Sequence, residues 1–147
     1  MKNRAKLGLV TTASALLIGL TAGPSQAAAA QAYASCSTSP AGAGGSVSTS
    51  GWSSGGRSIP SLTMKLYDEA PDKHHVRIRL VVQYADTHKY FGWHHNYDGY
   101  GTHKEFPSYV AQGGNIFDVG IQAAVFEGDK RIDHCTKWVS GSTKDPS

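Results

Sequence analysis

Apolar and polar side chains alternate with a period of two in three stretches of this chain, and that spacing predicts β-strands. In Leu62–Tyr67, Leu62, Met64 and Leu66 alternate with Thr63 and Lys65. In His75–Tyr84, Val76, Ile78, Leu80 and Val82 fall on one face, with Arg77, Arg79 and Gln83 on the other. Asp68–His74 contains Pro71 and reads as a turn, so these two strands are expected to form an antiparallel hairpin. In Phe117–Val125 every odd position is apolar, and the pattern stops at Glu127-Gly128-Asp129-Lys130. Gly128-Asp129 suits a two-residue hairpin turn, because glycine accepts a positive φ without a Cβ clash. That turn sets Val125 opposite Ile132, Ala123 opposite His134 and Gln122 opposite Cys135. In this register Ile132, Thr136 and Trp138 face inward, and Cys135 lies on the other face beside Phe126 and Ala124.

Lys89–Trp93 and Glu105–Ala111 read as two weaker strands. Ser35–Ser58 is dominated by Ser, Gly, Ala and Thr, which reads as a flexible leader over 31–58. Within it, Ser46–Trp52 offers a short edge strand with Val47 and Trp52 facing inward. No window has a helical period. The expected fold is all-β: a single antiparallel β-sandwich of about six or seven short strands over 59–140, with a small barrel as the alternative. The tail, 141–147, is expected to fray.

The first thirty residues change the picture of charge. Lys2, Arg4 and Lys6 precede the uncharged, mostly apolar run Leu7–Leu20, and Ser25-Gln26-Ala27 fits a signal-peptidase site. Residues 1–30 therefore read as a secretory signal peptide cut between Ala27 and Ala34, and the product is expected to be secreted and extracellular. The apolar run is shorter than the roughly 20 residues a membrane span needs. Three of the 14 basic residues lie in this segment and none of the 11 acidic ones, so the net +3 belongs to the signal. A neutral remainder gives no reason to expect nucleic acid or, once the signal is removed, a membrane as partner. Cys36 and Cys135 are the only cysteines, and in an oxidising compartment they are expected to pair and tie the leader to the last strand.

Candidate chemistry concentrates in His88–His103, which holds five aromatic residues, four histidines and three glycines. Trp93, Tyr97 and Tyr100 supply broad flat faces, and Asn96 and Asp98 supply hydrogen-bonding groups beside them. These five residues are the expected ligand-binding site, and their competing role is ordinary core packing. A metal site drawn from His94, Asp98 and His103 is an alternative, although no His-Glu-x-x-His or Cys-x-x-Cys motif is present. No metal or other cofactor is expected. Catalysis has little support: no Gly-x-Ser-x-Gly elbow occurs, and no carboxylate pair stands out.

Asp68–Arg79, Tyr97–Thr102 and Val125–Gly128 together resemble a loose group of small secreted actinobacterial β-sandwich proteins of unknown function. The resemblance implies export and a β-sandwich, and it implies no activity. Secreted α-amylase inhibitors share the size and a disulfide-tied sandwich, but this chain lacks their Trp-Arg-Tyr triplet and second disulfide. The expected function is non-catalytic binding of a glycan, a cell-envelope component or a protein. The alternatives are an inhibitor or toxin-like effector of a protein target, and a histidine-based metal protein.

Overall fold

The computed structural model describes residues 31–145 apart from residue 112, so the export signal read over 1–30 lies outside the described residues. Nine strands follow in order: β1 (Gln31–Ser37), β2 (Ala43–Ser50), β3 (Ile59–Asp68), β4 (His75–Gln83), β5 (His88–Tyr90), β6 (His94–Asn96), β7 (His103–Val110), β8 (Asp118–Glu127) and β9 (Lys130–Trp138). No helix occurs among the described residues. Two antiparallel sheets pack face to face. The first runs β1-β2-β3-β7, and the second β5-β4-β8-β9, with β6 also on β4. β5 meets β4 at Val81–Gln83 and β6 meets it at Val76–Ile78, so the two short strands share one edge in succession.

The alternation expected of the long strands is what builds the core. Leu62, Met64 and Leu66 of β3 face Val76, Ile78, Leu80 and Val82 of β4 and Val119, Ile121, Ala123 and Val125 of β8, all buried. The disulfide joins Cys36 to Cys135, and so joins β1 at the edge of one sheet to β9 at the edge of the other.

Four expectations need correction. First, β3 and β4 do not pair: β3 lies between β2 and β7, and β4 pairs with β8, β5 and β6. Asp68–His74 carries the chain from one sheet to the other, so the two apolar faces meet across the core instead of side by side. Second, residues 31–50 are not a flexible leader but supply β1 and β2, and β2 is an interior strand. Val47 and Trp52 are buried as expected. The small residues are what let the sheets approach: a Cβ on Gly45 would stand 2.8 Å from Ala123 Cβ and 3.0 Å from Ile78 Cδ1. Over 59–140 the strands number seven, within the six or seven expected, and β1 and β2 bring the described residues to nine.

Third, the β8–β9 register holds only next to the turn. Gly128 has the positive φ (58°) the hairpin requires, and Phe126 pairs with Arg131 as expected. A bulge at Ile132 then adds one residue to β9, so Ala123 pairs with Cys135 and Gln122 with Thr136. A one-residue slip exchanges the faces. Cys135 therefore packs against the core, Thr136 and Trp138 lie on the outer face, and Ile132 is 43% exposed. Fourth, the described part of the tail, 141–145, packs back on β9. Trp138 Nε1 donates to the carbonyl of Lys144, and Asp145 reaches back to β9.

Candidate functional site

The outer face of the second sheet is built by strand alternation. β4 directs His75, Arg77 and Arg79 outward, and β8 directs Gly120, Gln122, Ala124 and Phe126 to the same side. Backbone register sets His75 beside Phe126, Arg77 between His95 and Ala124, and Arg79 beside Gln122, with Thr136 beyond it. Such a face is normally wet. Here Gln122, Ala124 and Phe126 are buried, Gln122 to 1% exposure.

Cations and rings provide the cover. The Arg77 guanidinium carbon lies 4.0 Å from the centre of the Phe126 ring, and Trp93 meets the same ring edge-on at 5.3 Å. The Arg79 guanidinium carbon lies 3.9 Å from the centre of Tyr90 and 4.3 Å from that of Trp93. In this position the long arginine stems shield apolar surface while the heads stack on π faces.

His75 and Tyr97 complete this edge. Arg77 Nε–H donates to His75 Nε2 at 2.9 Å, which requires that nitrogen to be unprotonated. Burial lowers the His75 pKa, and Arg77 and His95 lower it further. His95 is lowered by burial and then by Arg77 and His94. The Tyr97 ring lies 4.6 Å from that of His75, and its hydroxyl is 2.7 Å from His95 Nδ1. Arg77 is anchored at its far end, where Nη2 donates to the Gly128 carbonyl and to Asp129.

Gln122 is the polar centre. Its carbonyl oxygen accepts from Arg79 and Arg131, and its amide donates to Thr136 and Asp145. His134 meets the Asp145 carboxylate, as does the Thr136 hydroxyl. Burial acts to raise the Asp145 pKa, but hydrogen bonds from Thr136 and His134 outweigh it and hold the carboxyl below its ordinary value.

The five sequence-predicted site residues separate. Trp93 and Tyr97 join the arginine–aromatic face. Asn96 is fully buried and shapes the following turn: its amide donates to Thr102 Oγ1 at 2.9 Å, and its carbonyl accepts from the Asp98 backbone. Asp98 pairs with Lys104 at 3.1 Å. Gly99 and Gly101 both take positive φ, and the chain turns between Tyr97 and β7. Tyr100 is thus delivered to a different cleft, lined by Tyr67, Asp68, Glu69 and Thr102. The alternative metal trio also divides: His94 packs on Phe106, His103 stacks on Tyr67, and Asp98 holds Lys104. Among the described residues no group of three His, Cys, Asp or Glu side chains is placed to hold a metal ion.

His75, Arg77, Arg79, Gln122, Phe126, Arg131 and Asp145 were not legible as site residues. The available signal was Gly120, Ala124 and Phe126 on a nominally outer face, which demands a cover. The leader, which the sequence ties to the last strand through Cys36, does not cover that face: it pairs in the other sheet. Comparison with protein-family models, with curated protein sequences and with solved structures finds no match for this chain.

Proposed function

We propose that the chain is a secreted, non-catalytic binding protein whose ligand meets the Trp93–Tyr97 edge of the second sheet. The observation that carries this reading is Tyr97, which is 64% exposed yet fixed by the His75 ring and by a hydrogen bond to His95. An exposed ring already locked in one orientation gives broad contact area and loses little entropy on binding. The layer continues from His75 to Arg77 and Phe126 and on to Trp93 and Arg79, and Trp, Tyr and Arg are the residue types that dominate contact energy at binding surfaces. The ligand class is a glycan, a cell-envelope component or a protein.

The non-catalytic reading is supported by the way acid–base groups are engaged. His75 accepts from Arg77, His95 is bonded to Tyr97, and Asp98 pairs with Lys104. The Cys36–Cys135 disulfide accords with an oxidising, extracellular setting, and no helix among the described residues is long and apolar enough to cross a membrane. Glycan arrays and pull-downs from culture fluid test the reading with a Trp93→Ala/Tyr97→Ala variant. Loss of a buried aromatic anchor costs about 2 kcal/mol or more, so binding should weaken at least about thirtyfold. Tyr100→Ala, in the separate cleft, should bind as the parent does. A folded double variant with undiminished binding rejects the surface.

A further inference from the structure

Two guanidinium groups on the outer face share one neutral acceptor. Arg79 donates to Gln122 Oε1 from Nε at 3.0 Å and from Nη2 at 2.7 Å, and Arg131 Nη1 donates to the same oxygen at 3.0 Å. Arg77, by comparison, has the Asp129 carboxylate at 3.0 Å. Among the described residues neither Arg79 nor Arg131 has a carboxylate within ion-pairing distance. Two like charges drawn to one amide oxygen repel each other, and a nearby anion relieves that repulsion.

The anion at hand is Asp145. Gln122 Nε2 donates to its Oδ1 at 3.2 Å, Thr136 Oγ1 closes on the same oxygen, and His134 Nε2 meets Oδ2. Gln122 and Thr136 are both buried, so these donors are fixed in place before any partner arrives. Asp145 also forms a wall shared by two clefts. One, of about 290 Å³, includes Gln83, His88 and Trp138; the other, of about 360 Å³, includes Ser37, His134 and Thr136. Clefts of about this size and larger hold small ligands.

We propose that this cluster is a carboxylate-binding site, occupied by the chain's own Asp145 until the carboxylate of an acidic saccharide displaces it. The proposal rests on reading this face as the ligand surface, and extends that surface beyond Trp93. Donors from Gln122, Thr136 and His134 receive the two carboxylate oxygens, with the Arg79 and Arg131 charges behind them. The clefts on either side favour a sugar over an apolar side chain. They offer hydroxyl and amide groups from Ser37, Thr136 and Gln83, and the Trp138 ring lines the first cleft while itself staying buried.

Calorimetric titration of the intact chain with a uronic-acid oligosaccharide, and with its carboxyl-reduced neutral counterpart, tests the proposal. An internal occupant that leaves the site open about a tenth of the time or less lowers apparent affinity at least tenfold. Asp145→Ala should therefore bind the uronate at least about tenfold tighter than the parent, with no gain for the neutral sugar. Arg131→Ala, an exposed position, should reverse the gain when added to Asp145→Ala. No gain on Asp145→Ala, equal gains for both sugars, or preference for a peptide with a free C-terminal carboxylate over the uronate each overturns the proposal. Thermal midpoints confirm that each variant is folded. If Trp93→Ala/Tyr97→Ala abolishes ligand capture while Arg131→Ala leaves it intact, the binding surface stands and the carboxylate site falls. The opposite result removes the surface and keeps the site.

Discussion

Reduction of the Cys36–Cys135 bond is a quantitative test of how this sandwich is held together. Among the described residues the one strand that pairs with β1 is β2, and the one that pairs with β9 is β8, so each is an edge strand of its own sheet. The disulfide is the covalent link between those edges, and its partners are 99 residues apart. Closing a loop of about 100 residues removes chain entropy from the unfolded state worth about 4.7 kcal/mol at 25 °C. Total stability of a small domain is about 5–15 kcal/mol, so the bond supplies a third or more of it. Urea unfolding of the oxidised and reduced protein measures the difference. Reduction should lower the extrapolated stability by about 4–5 kcal/mol and raise the denaturant slope, since an uncrosslinked unfolded chain exposes more surface. A Cys36→Ala/Cys135→Ala variant should resemble the reduced protein. A loss below about 1 kcal/mol with an unchanged slope refutes the argument, because it means the crosslink does not restrict the unfolded chain.

Two further outcomes follow from packing and from charge. Gly45→Ala places a methyl group 2.8 Å from Ala123 Cβ, where neither partner has a rotamer to move, so it should cost about 1–3 kcal/mol of stability and visibly lower the thermal midpoint. An unchanged midpoint means that the sheets are not this close at that point. His75 and His95 have folded values below the ordinary 6.5, so near and below that pH the native state binds fewer protons than the unfolded chain. Their contribution is complete above about pH 6.5 and is lost as pH falls through the lowered folded values, so urea midpoints should decline on acidification from about pH 7 to 5. His75→Gln/His95→Gln should flatten that decline, and a decline of the same size in the variant excludes these histidines as its source.

How far the fold was legible depends on what period two encodes. Alternation identifies the buried face of a strand, and it did so correctly for β3, β4 and β8. It does not say which strands lie side by side. The segment between Asp68 and His75 serves equally to return a hairpin or to cross between sheets, and only the pairing of β4 with β8 settles the matter. The Ser/Gly stretch misled for a different reason. Small side chains mark flexibility in an isolated chain, but in β2 they mark the closest approach of two sheets. The bulge at Ile132 leaves no mark in the residue pattern, yet it reverses the facing of Cys135, Thr136 and Trp138.

The site was legible in half. Trp93 and Tyr97 join one layer through Phe126 and His75, while two positive-φ glycines carry Tyr100 elsewhere. The other half comes from β4 and β8, where spacing shows that Arg77, Arg79, Gln122 and Phe126 face outward but not that they form one layer. The physics of that layer ties stability to recognition. Phe126 and Ala124 are too apolar to face water, and the nearest cover consists of arginines whose stems shield carbon while their heads keep full charge. Of the arginines on this face Arg77 has Asp129, whereas Arg79 and Arg131 share the Gln122 oxygen, which neutralises neither. Arg79 therefore serves both roles, as cover and as charge, and its removal disturbs both. Arg131 reaches the same amide oxygen from an exposed position, which makes it the residue at which charge can be removed while the cover stays in place.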